Sequence, residues 1–296
     1  MHVEGGLSKA KPFENPLVPN RKLKQLYAAM VEARVLDEFA ARTAGKVKRG
    51  MLKSTRGQEA CRVSTAMELA GGDLVCDSQD GVMMHRIAGA SVGSVLARLD
   101  AIRSGGKKRA AKARNNATQV LPWVADAGDR LRMALGAALS VKMLGHANLV
   151  VVYVDGRELP DAVWRRVLGL AAELELPVIF VVLPDAAGVR SGRSMSAKAI
   201  SCGVPGFPVD AGDAVALYRV AQESIGRARG NGGPALIECL THLSQSAGED
   251  DPVVQMRGFM LGRRVAGKTW LDGVERVFRR KLDAAAKHTR SRAGER

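Results

Sequence analysis

The chain has 296 residues, 46% of them hydrophobic, and carries 45 lysines and arginines against 30 acids, for a net charge of +15. That length and apolar content suit one large α/β domain or two small ones and exclude disorder as the overall state. Aromatic residues, at 4%, are too few to build stacking platforms for single-stranded nucleic acid, so the basic clusters at residues 42–56, 103–114 and 276–296 read first as solvated surface or as a face for an acidic protein partner.

Cys61, Cys76, Cys202 and Cys239 are far apart and form no CxxC pair, which argues against a zinc site or a disulfide framework and fits a reducing compartment. No apolar run reaches the length of a membrane span, and the first residues lack the apolar core of a secretory signal, so a cytoplasmic location is expected.

Residues 1–20, rich in Gly, Lys and Pro, form an arm without a core of its own. A single α/β unit is expected over 21–287, and a basic disordered tail over 288–296. Leu26, Tyr27, Met30, Ala33, Leu36 and Phe39 recur at helical spacing and predict a helix from about Leu23 to Gly45. A second helix follows Gly57 and stops at Gly71 and Gly72, with a short strand at Leu74 to Cys76. Residues 104–119 read as an exposed loop. Residues 131–144 predict a helix whose Gly136, Ala137 and Ala138 admit a close neighbour, and a central packing position is expected for it.

The most informative stretch, residues 149–185, reads strand, Asp-Gly turn, helix, strand, acid. The intervening helix makes the two strands parallel, which brings Asp155 and Asp185 to one carboxyl-end edge of one sheet. Two oxygen ligands at such an edge suit a hard cation such as Mg²⁺ with a bound phosphate. The same residues also suit a plainer role, with Gly156 in a tight turn and Asp155 as a cap for the helix. Residues 186–201 predict a polar loop, GFPVDAGD a turn before a helix over 214–229, and residues 235–240 a buried strand. An amphipathic helix spans 270–287. His85 and His146 stand singly, without ligand partners at metal-site spacing.

In order and spacing, several segments together resemble the alpha subunit of the decarboxylating component of 2-oxo-acid dehydrogenase complexes, the pyruvate dehydrogenase type. They are NPLVPNRKLKQLYAAMVEARVLDE, RGQEA, GGDLV, GAALSVKMLG, LPVIFVV, PVDAGD and GPALIE. The resemblance implies a doubly wound, mostly parallel α/β fold with helices on both faces. It implies thiamine diphosphate and Mg²⁺ as cofactors, held between this chain and a beta-type subunit that supplies the activating glutamate. A second copy of the chain is the other partner weighed.

The resemblance also shows where this chain departs from its family. A Gly-Asp-Gly turn followed about thirty residues later by an asparagine pair holds the metal in the family; here Val154 precedes Asp155 and Gly156, and the pair falls on Pro184 and Asp185. A tyrosine and an arginine that bind the diphosphate fall on Gln79 and Asp80. Of the cofactor-contacting glycines before Gly136, only Gly128 is kept, and Arg130 and Arg132 stand where neutral residues are usual. His242 and Leu243 fall on a Tyr-Arg pair, with Gln245 near the catalytic histidine, so His242 is a weak candidate for catalysis.

Asp80 and Asp185 lower the local charge by three units, and opposed unit charges at ~5 Å interact by roughly 3 kcal/mol at an effective dielectric of about 20. Arg190 and Arg193 compensate if they turn inward. Three readings result: a diverged subunit with weakened or lost cofactor chemistry, a working alpha subunit with a rebuilt site using Asp155, Asp185, Arg190 and Arg193, and a basic polyanion binder.

Overall fold

The structure, a computed structural model, describes residues 17–43, 54–79, 81–103, 118–184, 194–241 and 251–294. In chain order the elements are α1 (Asn20–Thr43), α2 (Glu59–Ala66), β1 (Leu74–Cys76), α3 (Met83–Ile87), α4 (Val92–Arg103), β2 (Gln119–Val120), α5 (Ala127–Met143) and β3 (Val150–Asp155). There follow α6 (Asp161–Glu173), β4 (Val178–Leu183), α7 (Met195–Ser201), β5 (Gly206–Asp210), α8 (Ala214–Arg229), β6 (Ala235–Leu240), α9 (Pro252–Gly262) and α10 (Lys268–Gly294).

Strands β3 and β4 are almost wholly apolar because both of their faces are covered, which is the condition for an all-parallel sheet. Alternate residues feed two cores. Val151, Tyr153, Ile179, Val181 and Ile237 pack with α1, α2, α8, α9 and α10. Val150, Val152, Val154, Phe180 and Leu236 pack with α5, α6 and α7. Helix α6 shows how the sequence directs this: Trp164, Val167, Leu168 and Ala171 lie at helical spacing on one buried face, and the Trp164 indole meets the Phe180 ring edge-on at 6.4 Å.

The strand order is β2-β1-β3-β4-β6-β5, every neighbouring pair is parallel, and Asp155 sits opposite Leu183 in the register. The chain leaves β1 toward one edge of the sheet and leaves β3 toward the other. The winding therefore reverses between β1 and β3, and the crevice outside their carboxyl ends is the place where a doubly wound sheet binds ligands.

Several sequence expectations are corrected. Gln119, though exposed, pairs with Leu74 as part of β2, so the loop ends before it. The supposed turn at 206–210 is the edge strand β5, since Pro208 leaves no ladder bond unmade on a strand paired on one side only. Part of the expected loop at 186–201 is α7, started by Ser194, whose hydroxyl accepts from the Ala197 amide. Helix α5 begins earlier than expected, where Asp126 accepts from the Asp129 amide, and it packs on the sheet through Leu131, Ala134 and Ala138, while Gly136 faces outward and is exposed. The backbone of α10 stays helical to Gly294. Among the described residues, no helix is long and apolar enough to cross a membrane.

Candidate functional site at the carboxyl edge of β1 and β3

Three chain segments border the crevice: residues 77–79 after β1, residues 155–158 after β3, and residues 121–130 leading into α5. Each is fixed by side chains that sequence periodicity left unassigned.

At the exit of β1, Arg62 of α2 is fully buried. It donates to Asp77 Oδ1 at 2.6 Å, to Ser78 Oγ at 3.2 Å and to Gln58 Oε1 at 3.0 Å, and its guanidinium lies 5.2 Å from the centre of the Tyr153 ring. The Tyr153 hydroxyl shares a 2.8 Å hydrogen bond with Thr65, and burial pushes it well above the usual phenol range. Gln79, on the position of the family's tyrosine, is buried.

The exit of β3 forms a tight turn. Asp155 Oδ1 accepts the Arg157 amide at 2.9 Å, the Arg157 Nε lies 4.0 Å from the same oxygen, and the Asp155 carbonyl accepts the Glu158 amide. The helix that follows is entered through Pro160, so Asp155 caps its own turn and not α6. A Cβ on Gly156 would lie 3.1 Å from Val182 Cγ1 and 3.4 Å from Met195 Cγ, so a side chain there would require Val182 to shift by a few tenths of an ångström. The Trp164 indole N–H closes the turn on the Gly156 carbonyl at 3.2 Å.

Gly128 sits in the first turn of α5, its missing Cβ 3.1 Å from Asp126 Oδ1. Two residues on, Arg130 is 4% exposed and donates to the carbonyls of Val124 and Ala125, both at 2.9 Å, and to the Glu158 carboxylate. It thereby ties the start of α5 to the turn after β3. Trp123 adds a tie to the β1 side, its indole N–H reaching the Ser78 carbonyl at 3.4 Å.

Two more carboxylates organise the same edge. Glu238 of β6 accepts from the hydroxyls of Ser194 and Ser196 and from the amides of Met195 and Ser196, all within 2.9 Å. Burial alone would raise its pKa, and these donors outweigh burial, holding the carboxyl below the usual range. Glu59 of the RGQEA segment accepts from Arg34, which also donates to Asp251. Arg34 binds both acids, whose attraction outweighs the burial that would lower its pKa and raises it further above the ordinary arginine range.

The structure thus brings Gly128, Asp155 and Gly156 to one edge, with Arg130 among them and Arg132 exposed on α5. Asp80, Asp185, Arg190, Arg193, His242 and Gln245 lie outside the described residues. Among the described residues, no group of three or more His, Cys, Asp or Glu is placed to hold a metal ion. His85 lies in α3, where burial, aided by the charge of Arg98, pushes its imidazole down to about 4. The ion pairs were not legible as pairs, because Arg62–Asp77 and Arg130–Glu158 join residues on different elements. The one available signal was a lone acid, Glu238, inside an apolar run.

A family model described as the dehydrogenase E1 component matches residues 27–269. The chain belongs to this family. Three similar proteins carry names of alpha subunits. Over 243 residues it is 27% identical to 3-methyl-2-oxobutanoate dehydrogenase subunit alpha of Mycobacterium tuberculosis, covering 79% of this chain and 65% of that protein. Over 238 residues it is 29% identical to the alpha subunit of acetoin:2,6-dichlorophenolindophenol oxidoreductase of Bacillus subtilis, covering 76% of this chain and 71% of the relative. The pyruvate dehydrogenase E1 component subunit alpha of Staphylococcus aureus is 24% identical over 271 residues, covering 83% and 72%. The match therefore spans just under two thirds of the mycobacterial protein.

Proposed function

We propose that the chain is a diverged alpha-type subunit of a thiamine diphosphate-dependent 2-oxo-acid dehydrogenase, weakly active or non-catalytic, that serves as a partner subunit to a beta-type chain or to a second copy of itself. Its own diphosphate and histidine positions are eroded. The observation that carries this reading is the internal use of the crevice's buried cations. A diphosphate needs donors and positive charge that are not already neutralised, whereas Arg62 is engaged by Asp77, Ser78 and Gln58, and Arg130 by Glu158 and two carbonyls. With Asp155 binding its own turn, the described donor set does not fit Mg²⁺ and a diphosphate.

Co-expression with a beta-type subunit tests the partner role. A stable heteromer by analytical ultracentrifugation, with little or no turnover of pyruvate or branched-chain 2-oxo acids, is the expected result. Turnover at ordinary enzyme rates would overturn it. One observation favours the working-enzyme reading: 40% of the Asp155 side chain is exposed at the switch point. On that reading Asp155→Ala abolishes turnover; on ours it leaves heteromer formation and the low activity unchanged.

A further inference from the structure

We propose that the switch-point crevice of this chain is closed from within by Arg130, whose guanidinium occupies the interval between the start of α5 and the turn after β3. The inference rests on reading this crevice as the family's cofactor site, and it supplies a physical cause for the loss of that site.

The geometry is specific. Arg130 enters from the first turn of α5, with its amide bonded to the Asp126 carbonyl, so its backbone is fixed by the helix. Its Nη1 binds Val124 and Ala125, which lead into α5, and its Nη2 binds Glu158, which ends the turn after β3. The arginine side chain is 5% exposed and that of Glu158 26%. The Arg130 charge is largely removed from water, Glu158 lies at the margin of the crevice, and the carboxylate compensates the buried guanidinium. The Cys76 thiol, at the end of β1, contacts the Arg130 carbonyl at 3.6 Å, so the same residue also touches the floor of the crevice. With Trp123 reaching Ser78, both sides of the crevice are bound to the segment before α5.

A ligand entering between β1 and β3 must therefore break a part-buried ion pair and two carbonyl bonds. A salt bridge on the surface would yield readily, but separating this one leaves a buried charge without a partner. Opening the crevice by side-chain replacement should consequently loosen two segments that are distant in sequence.

Hydrogen exchange followed by mass spectrometry on the full chain tests this, comparing wild type with Arg130→Met, which keeps the side chain's bulk, and with Glu158→Gln, which keeps the bonds to Val124 and Ala125. In Arg130→Met, amides in both 121–130 and 155–158 should exchange about tenfold faster or more, as expected for ~1.4 kcal/mol of lost local stability, while β4 is unchanged. In Glu158→Gln the acceleration should fall mainly on 155–158. If neither segment responds, or only 121–130 does in Arg130→Met, the closure is overturned while the proposed function stands. Saturable micromolar binding of Mg²⁺ and inorganic pyrophosphate by the wild-type chain would overturn both. Should Arg130→Met fail to fold, Glu158→Gln alone decides: an unchanged exchange rate at 155–158 sinks the proposal.

Discussion

At the scale of single residues, the crevice is governed by charges that are buried and paired. Arg62 is fully buried beside Asp77, and removing one member strands the other. Arg62→Ala should destabilise the chain by about 3–5 kcal/mol, as should Asp77→Ala, whereas the double replacement Arg62→Met with Asp77→Leu should cost clearly less than the sum of the two. Urea denaturation of the singles and the double checks this. Additive losses would show that the two side chains do not act as a pair. Neither residue stood out in the sequence: an arginine in a short helix and an aspartate after a short strand carry no mark of partnership until the fold brings α2 against β1.

Among the elements, the unit of β5, α7 and β6 carries the clearest expectations. A Cβ on Gly206 would lie 2.7 Å from the Ser196 Cα and against the Ser196 carbonyl oxygen, with no flexible side-chain end to give way. Gly206→Ala should therefore cost about 3 kcal/mol by thermal or chemical denaturation. Ser196 is held in turn by Glu238. Because donors hold the Glu238 carboxyl below its usual value of 4.5, its contribution to stability is complete above about that pH and is lost as pH falls through the lower folded value. Glu238→Gln should lower stability near neutral pH and flatten its acid limb; a parallel acid limb in variant and wild type would contradict the assignment.

The strands and long helices were legible because their cues are local. The mainly apolar runs of β3, β4 and β6, and the helical spacing in α1 and α8, recur within one element. Strand β5 and helix α7 were hidden because Gly206, Pro208 and a serine-rich stretch resemble loop chemistry, and the tertiary contacts with β6 and Glu238 that fix them are not local. At the site, the Asp155–Gly156 turn was readable from the strand-turn-helix pattern, while the ties that fill the crevice depend on the arrangement of three separate segments.

For the whole molecule, the doubly wound sheet and the family match show an E1-type scaffold, and the proposed function separates that scaffold from its cofactor chemistry. The alternation of β3, β4 and β6 residues between two cores supports the sheet through apolar contacts that do not depend on a bound cofactor at its carboxyl edge. Erosion of the site and retention of the partner role are thus physically compatible. The most direct test is isothermal titration of Mg²⁺ and thiamine diphosphate into the assembled complex of this chain with a beta-type subunit, so that any residues supplied by the partner are present. The account predicts no saturation below millimolar cofactor; a stoichiometric isotherm with a micromolar Kd would contradict it.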